Sequence, residues 1–95
     1  MPLRALLCLL AVLASPVQAG QDEARRLLER GEILPLERVL EHARRHRSGD
    51  ILEVELDEEH GRHVYEVLLL DDRGRVWELE LDAATGELIE LETKH

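Results

Sequence analysis

Two hydrophobic periods divide this chain. Up to Ser48 apolar side chains recur every three or four positions, and from Ile51 onward they alternate with acids. Leu36, Val39, Leu40 and Ala43 make one stripe at helical spacing. Pro35 suits the first turn of that helix, and Ser48-Gly49 stops it. Upstream, QDEARRLLERG predicts a shorter helix, with acids in its first turn, Ala24, Leu27 and Leu28 on one side, and Gly31 ending it. Leu34 precedes a proline and is biased away from helix, so Ile33-Leu34 is expected to be an extended link.

The alternating half predicts four strands. Their inward residues are expected to be Leu52, Val54 and Leu56, then Tyr65, Val67 and Leu69, then Trp77, Leu79 and Leu81, and last Ile89 and Leu91. Turn chemistry fixes the registers, because side-chain direction must agree across paired strands. His60-Gly61 as a two-residue loop sets Val54 against Val67. Asp72-Arg73-Gly74 as a three-residue loop with left-handed Gly74 sets Val67 against Leu79. The same geometry at Ala84-Thr85-Gly86 sets Leu81 against Ile89. Asp82 to Gly86 is read as a hairpin corner rather than a ligand loop, since Asp82 can accept turn N–H groups and Gly86 can take positive φ. The fold class is therefore α+β: one main helix on a four-stranded antiparallel meander, preceded by a short helix.

The first residues change the picture of where this domain works. Met1 to Arg4 give a positive start, Ala5 to Ala14 an uncharged apolar run, and Val17-Gln18-Ala19 a small-residue cleavage pattern. Residues 1–19 are thus expected to be a signal peptide cut after Ala19. A short leading helix would occupy residues 20–32, the main domain residues 33–92 and a tail residues 93–95. The apolar run is too short for the ~20 residues of a spanning helix, and a periplasmic or extracellular location follows. Cys8 lies within the run, so the mature chain carries no disulfide.

Charge is distributed unevenly. Residues 21–50 balance seven Arg against seven acids, whereas residues 51–95 set three Arg and one Lys against fourteen acids. Loss of Arg4 with the signal takes the formal charge from −9 to −10. Such a surface repels phosphate and anionic lipid, which excludes nucleic acid and direct membrane insertion as expected partners.

The helix opening with ILPLERVLEHA, the strand ILEVELDEE and the run HVYEVLLLDDRGRVWELELDAATGELIEL together resemble the PepSY domain family, over Ile33 to Glu92. Tyr65, Gly74, Asp82, Ala83, Ala84, Thr85 and Gly86 carry the likeness. The resemblance implies an extracytoplasmic, non-catalytic module that inhibits or regulates peptidases, or that accompanies membrane-associated proteins. It implies structural roles for Tyr65, Gly74, Asp82 and Gly86.

With the registers above, Glu55, Glu66, Glu80 and Glu90 fall side by side on the outward face, and Glu53, Glu78 and Glu92 flank Leu68 in the next row. Opposed like charges destabilise a sheet, so something should compensate. A candidate binding face for a basic protein is centred on Glu55, Glu66, Glu80, Glu90 and Leu68, and the plain alternative is a solvated surface. A second functional alternative is a domain that responds to a divalent cation, although a flat row is not a metal cage. No cofactor and no dedicated metal site are expected. Val64, Leu68, Leu70, Val76 and Leu88 are also expected outward, with Ile51, Leu70 and Val76 adjoining in a patch that Leu27 and Leu28 could cover. His42 and His46 have i, i+4 spacing, but HARRH lacks the Glu of a zinc-protease motif, so they are read as surface residues. Catalysis is not expected: Ser48, Thr85 and Thr93 have no discernible His-acid partners, and open carboxylates lack an environment that tunes one as an acid.

Overall fold

The computed structural model describes residues 16–94. The predicted signal run and Cys8 lie outside the described residues, as does His95. Helix α1 spans Pro16–Glu29 and α2 spans Leu36–His46; strands β1 (Asp50–Glu59), β2 (Arg62–Leu70), β3 (Val76–Asp82) and β4 (Leu88–Thr93) follow. Proline at the first position of α1 loses no hydrogen bond, because the first N–H groups of a helix have no internal acceptor. The helix thus begins earlier than the Gln21 start expected from the acids, and the expected cleavage point after Ala19 falls within it.

The strands form one antiparallel sheet in the order β1-β2-β3-β4. Val54 pairs with Val67 and Val67 with Leu79, as the turns dictate. His60 (φ 53°) and Gly61 (φ 75°) make the first two-residue turn, both with positive φ. In the second, Asp71 N–H donates to the Arg75 carbonyl (2.9 Å) and Gly74 adopts φ 78°.

Both edge strands depart from strict alternation. A register shift lies between Ile51 and Glu53, so Leu52 is bulged out and 53% exposed, while Ile51 pairs with Leu69 and packs on the core. The expected inward Leu52 and outward Ile51 are both corrected by that one extra residue. In β4 the shift lies between Glu80 and Leu81, and Leu81 pairs with Leu88 rather than Ile89. Ile89 is 40% exposed, and Leu88 joins Leu91 on the core side. The cause is the corner before it. Ala83 N–H donates to the His63 carbonyl (3.0 Å), which holds Ala83 on the β2 ladder. The loop therefore takes residues 83–86 instead of three, closed by Asp82 N–H to the Glu87 carbonyl (2.8 Å). The bulge at Ile89 returns the extra residue, so Glu80 still pairs with Glu90 and Leu79 with Leu91.

The core gathers Val39 and Ala43 of α2 with Tyr65, Val67, Leu69, Leu79, Leu81 and Ala83 of the sheet, joined by Leu27 and Ile33. Each fully buried Val or Leu of this set contributes ~1.5–3 kcal/mol of transfer free energy. Leu36, expected in the stripe, opens the helix and is 51% exposed, leaving Val39 and Ala43 as the helix's buried residues. Leu27 enters the inner core and Leu28 is 44% exposed, so neither covers the outward pair Leu70 and Val76 as expected. Gly49 (φ 151°) lets the chain pass against strand β2, where a Cβ would collide with the Leu70 carbonyl.

Candidate functional site

The DAATG corner is fully used in holding the fold together. Asp82 accepts from Ala84 N–H (2.8 Å), Thr85 N–H (3.0 Å) and Arg62 Nε (2.9 Å), and Thr85 Oγ1 accepts from Glu87 N–H (3.2 Å). Partial burial pushes the Asp82 carboxyl up, but the Thr85 and Ala84 N–H groups and the Arg62 guanidinium outweigh it and leave the pKa lowered. Gly86 (φ 81°) lies under His42, whose ring would come within 2.5 Å of any Cβ there. The Ala83 carbonyl accepts from Leu34 N–H (2.8 Å), and the Leu34 carbonyl accepts from the Tyr65 hydroxyl (3.0 Å). The link before α2 is thereby tied to the end of β3. Burial pushes the Tyr65 phenol up. In the turn at the opposite end of β3, Asp71 accepts from Trp77 Nε1 (2.9 Å), from the N–H groups of Arg73 and Arg75 (both 2.9 Å) and from Arg75 Nε (3.2 Å). Led by the indole N–H, these donors hold its carboxyl well below the usual range. The Arg47 guanidinium stacks 3.9 Å from the Trp77 ring centroid.

The opposite face of the sheet has no such role. The core residues of β2 and β3 are Tyr65, Val67, Leu69, Leu79 and Leu81, so the intervening positions point away from both helices. Glu55 pairs with Glu66, Glu66 with Glu80 and Glu80 with Glu90, one unbroken row across all four strands. In the next row Leu68 stands between Glu53 and Glu78, and Glu78 pairs with Glu92. Leu68 is half-buried; Leu70 pairs with Val76 beside it. Val64 also has the outward direction, yet it is 1% exposed. A shallow hollow lined by Glu59, Arg62, Val64, Glu80, Ile89 and Glu90 runs over it. The side chains around Val64 thus close over an apolar spot among charges.

Protons relieve part of the repulsion. Glu66 is pushed up to about 7, by burial first and then by a hydrogen bond to Asp57 and the charges of Asp57, Glu78 and Glu55. Glu80 is raised by burial and by Glu59, and Glu90 by its hydrogen bond to Glu92. Carboxylate oxygens of Asp57, Glu59 and Glu66 lie within 4.8 Å of one another. Neither Asp57 nor Glu59 was expected in the row. Their signal in the sequence is the same period of two that places Glu55 outward, and sheet twist then brings diagonal neighbours into reach.

Two cations of the chain itself sit at the ends of this face. Arg62 Nε meets Asp82 at 2.9 Å, and Lys94 Nζ meets Glu78 at 3.0 Å. Glu78, with help from Glu92 and Glu66, raises the Lys94 pKa. Among the described residues no ion pair reaches Glu55, Glu66, Glu80 or Glu90, and no three-residue group of metal-ligating side chains includes His42 or His46. His42 lines an open groove with Arg45, His46, Gly86, Glu87 and Leu88. No helix among the described residues is long and apolar enough to cross a membrane.

Comparison with curated proteins and with solved structures found no match. Against protein families, residues 33–92 match the PepSY family, described as the peptidase propeptide and YPEB domain. The matched span starts at Ile33, a core residue just before α2, and ends at Glu92 in β4, so it contains α2, β1 to β3, all but the last residue of β4 and the Tyr65-Leu34-Ala83 tie. With that span covering most of its length, the chain belongs to the PepSY family.

Proposed function

We propose that this protein is an exported, non-catalytic regulatory module that modulates or inhibits a peptidase, or serves as accessory to a membrane-bound sensor, through its outer sheet face. The observation that carries this reading is the open carboxylate row, with the half-buried Leu68 beside it and, among the described residues, no helix packed over it. Family membership supports a peptidase-related role. The hydroxyl of Thr85 is engaged in its turn and the carboxylates lie on an open sheet, which favours binding over chemistry. Residues 1–19 act as the signal peptide in this reading, residues 20–32 as a leading helix and 33–92 as the working domain, to which Thr93 and Lys94 of the expected 93–95 tail are joined by β4 pairing and the Glu78 ion pair. The site is periplasmic or extracellular.

The test is capture from a cell-envelope fraction on the immobilised mature domain, with identification of what is retained and assay of any peptidase found. A retained peptidase whose turnover falls when the domain is added supports the proposal; retention of nothing above a Gln-substituted control sinks it.

A second reading is favoured by the convergence of Asp57, Glu59 and Glu66, whose three carboxylates offer up to six oxygens to a hard cation. If the domain responds to calcium, millimolar calcium raises its melting midpoint, because a ligand that binds only the native state stabilises it by ~2.7 kcal/mol at a hundredfold excess over Kd. An unchanged midpoint removes this reading.

A further inference from the structure

We infer that the outer face receives a cationic amphipathic helix of a partner, laid across the strands with a Lys or Arg on each successive turn. This rests on the reading of that face as a docking surface and adds the chemistry and shape of its occupant.

Three observations point to it. The first is an unmet charge. The chain supplies its own cations at both ends of the face, Arg62 on Asp82 and Lys94 on Glu78, while the central row Glu55, Glu66, Glu80 and Glu90 has no ion-pair partner among the described residues. Lys94 shows how an ammonium seats there: from the end of β4 it reaches the half-buried carboxylate of Glu78 on the adjacent β3, 3.0 Å away. The second is spacing. Neighbouring strands lie about 4.8 Å apart, so the four carboxylates repeat at that interval. Side chains on one face of a helix recur at about 5–6 Å, whereas same-face side chains of an extended strand recur at about 6.6–6.8 Å. A helix matches the row and a strand drifts out of step with it.

The third observation is the apolar strip beside the row. Leu68 lies one row over, and Leu70 and Val76 one row beyond that, all half-buried on a face that neither α1 nor α2 covers. A helix whose cationic stripe follows the glutamates would turn its adjoining apolar stripe onto Leu68, with Leu70 and Val76, about 13 Å from the row, at the limit of its longest side chains. The bulges at Leu52 and Ile89 interrupt the ladders of both edge strands, which disfavours addition of a partner strand at the sheet edge and leaves the face as the better surface.

The experiment uses the mature chain and two labelled synthetic peptides of identical Lys, Leu and Ala composition, each about fourteen residues, ~21 Å if helical. One places Lys at helical intervals and the other alternates Lys with apolar residues. Fluorescence anisotropy is expected to show the helical-period peptide binding at least about tenfold more tightly, with affinity falling as salt is raised from ~20 to ~200 mM. The double variant Glu66→Gln/Glu80→Gln is expected to lose about tenfold or more, while Glu37→Gln, on exposed α2, leaves affinity unchanged. The double variant removes repulsion, so a melting midpoint no lower than wild type certifies that it is folded. Equal binding of the two isomers, no binding at low salt, or full affinity in the double variant each overturns the inference. Peptide failure alongside retained capture of a peptidase overturns the inference and leaves the broader reading standing; loss of both overturns both.

Discussion

Gly86, Tyr65 and Ala83 show how single residues serve one joint. Ala83 spends its N–H on His63 and its carbonyl on Leu34, and Tyr65 closes the circuit by donating to Leu34. Only a small residue fits at Ala83, which is wholly buried. Gly86 combines positive φ with contact against the His42 ring, so Gly86→Ala meets both strain and a clash and should cost about 2 kcal/mol or more in urea unfolding. Tyr65→Phe removes one hydrogen bond and leaves the Leu34 carbonyl unmatched; a loss of about 1 kcal/mol is expected in the same measurement. The sequence signalled these residues through a family pattern and through turn chemistry. It did not signal that Tyr65 ties the link to the sheet, because that bond joins positions far apart along the chain.

At the scale of elements, the central strands were legible and the edges were not. A strand paired on both sides cannot slip without reversing every side chain, so Tyr65, Val67, Leu69, Leu79 and Leu81 alternate inward without interruption. An edge strand can absorb an extra residue on its free side, and both do, at Leu52 and Ile89. Hydropathy alone does not distinguish Leu52 from Ile51 or Ile89 from Leu88, since all four are apolar. Substitution does. Leu52→Thr and Ile89→Thr should change stability by under ~0.5 kcal/mol, while Ile51→Ala and Leu88→Ala, which remove core contacts at half-buried positions, should cost about 1–2 kcal/mol. Thermal denaturation of the four variants checks the two bulges; a loss at Leu52 comparable to that at Ile51 would contradict the β1 register, and a loss at Ile89 comparable to that at Leu88 the β4 register.

Across the whole molecule, one face of the sheet is neutral grease under helices and the other is acidic and open, and the pH dependence of stability follows. Glu66 has an unperturbed pKa of 4.5 and about 7 in the fold, so the native state holds its proton more tightly than the unfolded chain. Its contribution is fully present below pH 4.5 and is lost as pH rises towards 7, and Glu80 and Glu90 act in the same sense. Asp71 and Asp82 work oppositely: their pKa values are lowered from 3.8, so their contribution is present above that and is lost as pH falls. The melting midpoint should therefore peak between these windows, near pH 4–5, and decline towards pH 7. Glu66→Gln/Glu80→Gln should raise the midpoint at pH 7 and flatten the decline above pH 5. A wild-type midpoint that climbs steadily from pH 5 to 7 would show that the row is fully solvated and carries no shared protons.

Although Glu80 meets Glu90 only because the bulge at Ile89 offsets a four-residue corner, the sequence by itself determined the α+β class, the meander, the β1–β2 and β2–β3 registers, and the family. Each depends on local turn chemistry or on a period that repeats within a few residues. Only the tertiary structure decided that Asp57 and Glu59 join Glu66, that Val64 is closed over on an outward face, and that Ile51 and Leu88 replace Leu52 and Ile89 in the core. Twist, edge bulges and the tie from Leu34 to Ala83 set those outcomes, and all three arise from distances between strands that no local pattern records.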